Sequence, residues 1–231
     1  EVPARYVTGL TATPIRRDGQ HPIMQLQLGP IRWSARRLAG RVEPAAVRFE
    51  RLAVLAPTDP AAPIQSVLAR LARSPERNAA VARTIVSLVA ARRRVLVLTE
   101  RAEHLQSLAV ALGDPGCPLI LLHGRLGTRA RARAFADLAA VHDESAFVVI
   151  ATGRLIGEGF DDARLDALVA AMPFSWKGTV QQYVGRLMRP APHKPRPPVV
   201  DFEDVGVRVL ERMAAKRRAG YRLLGCTVVE T

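Results

Sequence analysis

A glutamine and two arginines stand at helical spacing in the last third of the chain. Gln182, Arg186 and Arg189 are separated by four and then three residues, so a helix of 100° per residue gathers them within roughly 60° of one another. A guanidinium is a planar fork that can hold two phosphate oxygens at once. The spacing indicates a polyphosphate-binding surface, and the alternative is an ordinary solvated helix face.

These three residues belong to a segment whose pattern predicts a helix over residues 175–189, with Ser175 at the N-cap position. Its apolar residues fall on the opposite side, where we expect them to pack on a core. Trp176 could instead stack on a nucleic-acid base, but its place among the apolar residues favours the core. The apolar set is Trp176, Val180, Tyr183, Val184 and Leu187.

A loop of small and polar residues precedes this helix. Residues 146–151 form a continuous apolar run that predicts a strand buried on both faces. Thr152 opens the loop, and Gly157, Gly159 and Asp161 close it. Glycines let the backbone approach a ligand closely, while Thr152 and Asp161 offer a hydroxyl and a carboxylate.

The order of these motifs is more specific than any one of them. ATG at residues 151–153 and GEGFD at 157–161 are followed by QxxGRxxR at 182–189. This order resembles motifs V and VI of superfamily 2 helicases and translocases. TATP at residues 11–14 is similar to motif III, and the strand and helix that begin at Val95 are similar to motif IV.

The resemblance covers essentially the whole chain. SWKG at 175–178, QQYVGRLMR at 181–189 and an acidic element at 201–204 recur together in large bacterial DEAD/DEAH-type helicases related to type III restriction subunits. Met188 stands where many relatives carry a histidine, away from the arginine side. The chain has no GxxxxGK[ST] loop and no acidic Walker B motif, so we expect it to be the back part of a larger protein.

The resemblance implies a shared ATP site. Arg186 and Arg189 would act as arginine fingers on the γ-phosphate, with Gln182 beside them. ATP and Mg²⁺ would be held mainly by a first RecA-like domain that lies outside this chain. The further nucleotide-binding residues that the resemblance implies, near the ribose or the hydrolysis machinery, are Gly157, Gly159 and Asp161.

The resemblance also implies a nucleic-acid site. Thr152, Gly124 and Arg125 would contact the nucleic-acid backbone. Thr11 and Thr13, in the motif III segment, would couple ATP hydrolysis in the first domain to the second.

Composition agrees with an anionic partner. The 231 residues carry a formal net charge of +13 and have a pI near 11.2, which favours an anionic partner such as nucleic acid. Of the two nucleic acids, we expect DNA more than RNA. A coding bias towards Arg and Ala is the alternative source of this charge. No apolar run approaches the roughly 20 residues of a bilayer span, and Cys117 and Cys226 make no metal-binding spacing with the histidines. We therefore expect a cytoplasmic protein without a metal site and without a membrane partner.

The alternation of strand and helix patterns predicts an α/β fold. Repeated alternation requires parallel strands with right-handed crossovers, so residues 64–204 are expected to form one doubly wound, mostly parallel RecA-like domain. Residues 1–20 would end a first RecA-like domain, and 21–63 would be a connector with short extended pieces. Residues 205–231 would be a C-terminal extension of helix and strand. Ligands of such sheets bind beyond the carboxyl ends of the strands.

The sequence therefore predicts the C-terminal half of an ATP-dependent nucleic-acid helicase or translocase, inactive as an ATPase on its own. The alternative is a nucleic-acid-binding or scaffold module that keeps this fold and hydrolyses nothing.

Overall fold

The computed structural model describes residues 7–9, 21–33, 45–53, 62–152, 160, 162–174, 184–185, 187 and 196–230. The chain divides into two compact units, residues 1–41 and 42–231. In the first unit a helix, α1, spans His21–Leu28. The expectation of an extended piece there was wrong, because Met, Gln and Leu are good helix formers and a proline is tolerated in the first helical turn.

Seven strands of the described residues form one sheet in the second unit, in the order β3-β4-β2-β5-β6-β1-β7. Every strand pair is parallel. The strands are β1 Ala46–Leu52, β2 Arg94–Thr99, β3 Leu119–Leu122, β4 Phe147–Thr152, β5 Ala167–Ala170, β6 Pro198–Asp204 and β7 Thr227–Glu230. The helices that the structure describes from end to end in this unit are α2 Ile64–Arg73, α3 Pro75–Ala90, α4 Ala102–Leu112, α5 Thr128–Ala139 and α6 Arg208–Leu223. This architecture confirms the predicted RecA-like α/β class.

The helices cover both faces of the sheet. Because successive side chains of a strand point to opposite faces, each strand contributes to two cores. One core joins the sheet to Leu138 of α5 and to Ala214 and Tyr221 of α6. The other joins it to Ile85 of α3 and Leu105 of α4. Helices α5 and α6 therefore lie on one face, and α3 and α4 lie on the other.

Two segments that the sequence analysis assigned outside the RecA-like domain are strands of this sheet. β1, expected in the connector, pairs with β6 on one side and with β7 on the other. Its Val47 and Phe49 are buried while Arg48 between them is exposed, which is the alternation of a strand that packs one face on a core. β7 belongs to the segment expected as an extension. The numerical domain boundaries themselves remain a prediction.

Acidic residues on β6 tie helices to both faces of the sheet. Asp201 accepts hydrogen bonds from Nε of Arg217 at 2.9 Å and from the hydroxyl of Tyr221 at 3.1 Å. Glu203, on the same face, pairs with Arg218 at 2.7 Å. Asp204 points to the opposite face and pairs with Arg77 of α3 at 2.7 Å. These ion pairs hold α3 and α6 in place around the end of β6.

Candidate nucleic-acid interface

The carboxyl ends of β3, β4 and β2 lie side by side. Leu122 at the end of β3 pairs with Ala151 of β4, and Thr152 of β4 pairs with Thr99 of β2. Since parallel strands end at one edge of a sheet, the residues that follow Leu122 lie beside Thr152. The predicted nucleic-acid contacts Thr152, Gly124 and Arg125 therefore stand on neighbouring strand ends at the same edge.

The turn after β3 is open to solvent. Gly124 and Arg125 are both exposed. A Cβ built on Gly124 would meet no atom within 4 Å, so the described structure itself does not require a glycine there. The backbone at Gly124 is accessible to a ligand that approaches closely.

Helix α5 extends this turn with further positive charge. Arg129 and Arg133 are exposed, one helical turn apart. Asp137 is near Arg133, at 4.0 Å, but both side chains are well exposed, so this pair contributes little. Together with Arg125 these side chains give the edge beside β3 a positive potential.

Thr152 ends a strand that is buried along its entire length. The residue is 8% exposed, and its hydroxyl makes no hydrogen bond with another residue in the part of the chain that the structure describes. The apolar run of β4 thus fixes the backbone of Thr152 at this edge of the sheet.

A buried relay of hydrogen bonds holds the neighbouring turn after β2. The amide of Asn78 donates to the carbonyl of Ala72 at 3.0 Å, so the amide oxygen of Asn78 faces His104 and accepts from its Nε2 at 3.0 Å. Nδ1 of His104 then accepts from the Thr99 hydroxyl at 2.8 Å. The same hydroxyl accepts from the backbone N–H of Arg101 at 3.3 Å. The relay joins α3, α4 and the loop beside Thr152, and the sequence analysis did not identify it.

His104 serves this relay as a neutral ring. Burial, and then the charge of Arg77, lowers the pKa of His104 to about 3. A pKa this low keeps the imidazole uncharged at neutral pH. Its role is therefore to position the turn, and it does not act as an acid or base.

The loop that carries Gly157, Gly159 and Asp161 lies outside the described residues except for Phe160. Phe160 is 6% exposed and packs near Phe135, with ring centroids 6.2 Å apart. On the other side of Asp161, Asp162 is bound by the guanidinium of Arg164 at 2.7 Å.

Arg164 is an anchor that the sequence analysis missed. Besides Asp162, it donates to the carbonyls of Leu138 and Val141 at 3.0 and 2.7 Å, at the end of α5. Burial raises the pKa of Asp162, but the hydrogen bonds from Arg164 outweigh it, and the net pKa is lowered. Both chain neighbours of Asp161 are thus fixed, one by the core and one by this ion pair.

The arginine-bearing segment is described at only three positions. Val184 and Leu187 are buried, and Gly185 between them is exposed, in agreement with the predicted apolar side. The predicted site residues Gln182, Arg186 and Arg189 lie outside the described residues. So do the predicted coupling residues Thr11 and Thr13 and the apolar residues Trp176, Val180 and Tyr183.

Among the described residues, no three His, Cys, Asp or Glu side chains come together in a group that could hold a metal ion. Within the same part of the chain, every helix is too short or too polar to cross a membrane.

The solved structures most similar to this chain include helicase domains. The chain resembles UvsW of T4 with a TM-score of 0.62 and 16% identity, over 81% of this chain and 41% of that one. It resembles the C-terminal domain of the DEAD-box protein Dbp5 with a TM-score of 0.52 and 14% identity, over 82% of this chain and 91% of that one. For the E. coli DEAD-box protein SrmB, the values are 0.53 and 16%, over 83% and 92%.

The fold is shared with the C-terminal domain of Dbp5 and with domain 2 of the Mss116p DEAD-box helicase. No protein-family model and no curated protein sequence matches the chain. The chain spans about two fifths of the UvsW chain, 41%. Three of the similar structures contain RNA: domain 2 of the Mss116p DEAD-box helicase is bound to an RNA duplex, and S. cerevisiae Dbp5 and its L327V variant are each bound to RNA and ADP BeF3.

Proposed function

We propose that this chain is the second RecA-like domain of an ATP-dependent superfamily 2 helicase or translocase that acts on nucleic acid. One observation carries the proposal. Thr152 and the exposed turn at Gly124 and Arg125 stand on adjacent strand ends, at the edge where α/β sheets bind ligands, on a fold shared with helicase C-terminal domains.

The nucleic-acid contacts of this edge are suited to the phosphate backbone. The Thr152 hydroxyl and the backbone at Gly124 are hydrogen-bonding groups, and Arg125 supplies a charge that phosphate attracts. Backbone contacts of this kind do not select a base sequence. The preference for DNA over RNA predicted from the sequence has no counterpart in these contacts, so the proposal covers both nucleic acids.

The nucleotide side of the proposal rests on the pattern of residues 182–189. Two guanidinium groups and an amide suit the oxygens of a triphosphate, and the buried Val184 and Leu187 would fix the helix that presents them. Gln182, Arg186 and Arg189 would then reach the γ-phosphate of ATP across a domain interface. Arginines so placed stabilise charge that develops on the transferring phosphoryl group.

The remaining nucleotide contacts would be divided between two domains. A P-loop and Mg²⁺ ligands would come from a first RecA-like domain, which would bind ATP with Mg²⁺ before the arginines engage it. Since the chain holds no P-loop motif, it would have no ATPase activity alone. The residues of this chain that would complete the site and couple it to the first domain are Gly157, Gly159, Asp161, Thr11 and Thr13.

Nucleic-acid binding by this chain tests the proposal. Fluorescence anisotropy with labelled single-stranded and duplex oligonucleotides should show binding at low salt that weakens steeply as salt rises. Arg125→Gln should reduce the slope of log affinity against log salt by about 0.7 to 0.9, the loss of one phosphate contact. Absence of binding at low salt, or an affinity that does not change with salt, would contradict the proposed function.

A further inference from the structure

Helix α6 carries basic residues on two sides, and the two sides differ in how the charge is compensated. On the side that faces the sheet, Arg217 is 1% exposed and is paired with Asp201. Arg218 beside it is paired with Glu203. Each cation on the inner side therefore has its own carboxylate on β6.

The outer side of α6 has cations without such partners. Arg208, Arg212 and Lys216 are exposed and follow one another at intervals of four residues. At 1.5 Å per residue they form a row with steps of about 6 Å along the helix. No carboxylate among the described residues pairs with any of the three. We call these three residues the α6 row.

The surface around the α6 row allows close approach. Ala215 and Ala219 are exposed on the same side of the helix, and their small side chains leave space between the long basic ones. Glu211 lies towards the flank, where it accepts a hydrogen bond from the backbone N–H of Gly206 at 2.9 Å. A polyanion laid along this side would thus meet cations and small residues.

The α6 row begins at the same edge of the sheet as the candidate nucleic-acid interface. Helix α6 follows β6 through a short turn, so Arg208 lies near the carboxyl end of that strand. β6 and β4, the strand of Thr152, are separated by β2 and β5. Three interstrand spacings of about 4.8 Å amount to about 14 Å. Along the sheet, a few nucleotides would cover the distance between these two strand ends.

We propose that the α6 row is a second binding surface for the phosphate backbone of nucleic acid. This inference rests on the proposed function and extends it to a face of the molecule outside the predicted motifs. Its steps of about 6 Å correspond to roughly two base steps of a strand with one phosphate per 3.4 Å of rise. A regular row suits a polymer of evenly spaced charge better than it suits an acidic protein, whose carboxylates are irregularly spaced.

The test compares two charge-matched double variants of the chain. Arg212→Gln with Lys216→Gln removes two charges from the α6 row. Arg83→Gln with Arg92→Gln removes two exposed charges from α3 and the turn after it, on the opposite face of the sheet. Glutamine keeps helix propensity close to that of Arg and Lys, and thermal unfolding of both variants verifies that they fold.

Anisotropy with a labelled oligonucleotide at several salt concentrations provides the readout. We expect the α6 variant to lower the slope of log affinity against log salt by about 1.4 to 1.8, with an affinity loss on the order of tenfold at 0.1 M salt. The control variant should change the slope by less than about 0.5. Equal effects of the two variants would overturn the inference and would indicate diffuse electrostatic attraction instead. The inference would also be overturned if neither variant changed the slope or the affinity.

Two further measurements distinguish this inference from binding of an acidic protein and from a failure of the proposed function. Binding of labelled poly-glutamate that depends on the α6 row, with oligonucleotide binding unaffected, would assign the surface to an acidic protein and overturn the inference. If Arg125→Gln weakens binding and the α6 variant does not, only the inference fails. A wild-type chain that binds no oligonucleotide at low salt contradicts the proposed function itself.

Discussion

Gly124 is a proposed nucleic-acid contact at which the described structure leaves room for a side chain. Because a Cβ at this position meets nothing within 4 Å, we expect Gly124→Ala to change the free energy of unfolding by less than about 0.5 kcal/mol. The added methyl group would stand between the backbone and a bound phosphate. Loss of one hydrogen bond to a charged group costs about 1.5 to 3 kcal/mol, so oligonucleotide affinity should fall about tenfold or more.

Urea denaturation and anisotropy on the same Gly124→Ala sample distinguish the two effects. Unchanged affinity in a chain of unchanged stability would show that the turn after β3 does not contact the ligand.

His104 makes the stability of the fold depend on pH. Its pKa is lowered from 6.5 to about 3. Between these two pH values, the ring is therefore protonated in the unfolded chain and neutral in the folded chain. The stability from its neutral ring is fully present above pH 6.5 and is lost as the pH falls towards 3. Below pH 6, the free energy of unfolding should decrease by about 1.4 kcal/mol per pH unit.

Urea denaturation at pH 7, 6 and 5 measures this slope, in a range above the titration of ordinary carboxylates. His104→Gln should flatten it, whereas the control His142→Gln, on an exposed residue, should leave it unchanged. The same slope in both variants would mean that another group is responsible.

The contact between β6 and α6 depends on a buried charge pair. Asp201 and Arg217 are each 1% exposed, and removal of one partner leaves an uncompensated buried charge. Asp201→Ala should therefore cost about 3 to 5 kcal/mol. The exposed pair of Arg133 and Asp137 on α5 provides a matched comparison, because Asp137→Ala should cost less than about 0.5 kcal/mol.

Denaturant midpoints of Asp201→Ala and Asp137→Ala, with the wild-type m value, give both costs. Similar losses in the two variants would contradict the assignment of β6 as the strand that holds α6.

The elements with strong local patterns could be predicted from the sequence. The apolar run at residues 146–151 predicts a strand buried on both faces, and β4 is buried along its entire length. The strand and helix expected from Val95 onwards are β2 and α4. β1 and β7 could not be assigned to the sheet, because the charged residues of β1 at positions 48, 50 and 51 interrupt its apolar pattern. The pairing of β1 with residues 198–204 joins segments that lie far apart in the sequence, and no local pattern predicts it.

The position of the candidate residues at strand ends was predictable to the same extent. Thr152 and the turn at Gly124 and Arg125 stand where apolar runs end, which is a local signal. The relay through His104 joins residues 26 positions apart, and Arg164 reaches the carbonyl of Leu138, 26 positions away. Such contacts depend on the folded arrangement, so composition and periodicity did not point to them.

Across the described part of the molecule, buried and exposed cations differ in whether a carboxylate pairs with them. Buried arginines such as Arg77 and Arg217 are paired with carboxylates of β6, whereas Arg125 and the α6 row remain exposed on surfaces near one edge of the sheet. Part of the positive charge of the chain thus lies where a polyanion could contact it. In the proposed function, an ATP site that a second domain would complete accompanies this edge.

The proposal depends above all on Arg186 acting on ATP across a domain interface. The decisive measurement is nucleic-acid-stimulated ATP hydrolysis by the full-length protein, in wild type and in Arg186→Ala. Because ATP would be held mainly by the first domain, we predict that kcat falls about 10³-fold or more while ATP binding changes little. Arg186→Lys should restore little, since an ammonium cannot reproduce the bidentate fork. A folded Arg186→Ala protein that hydrolyses ATP at the wild-type, nucleic-acid-stimulated rate would contradict the account.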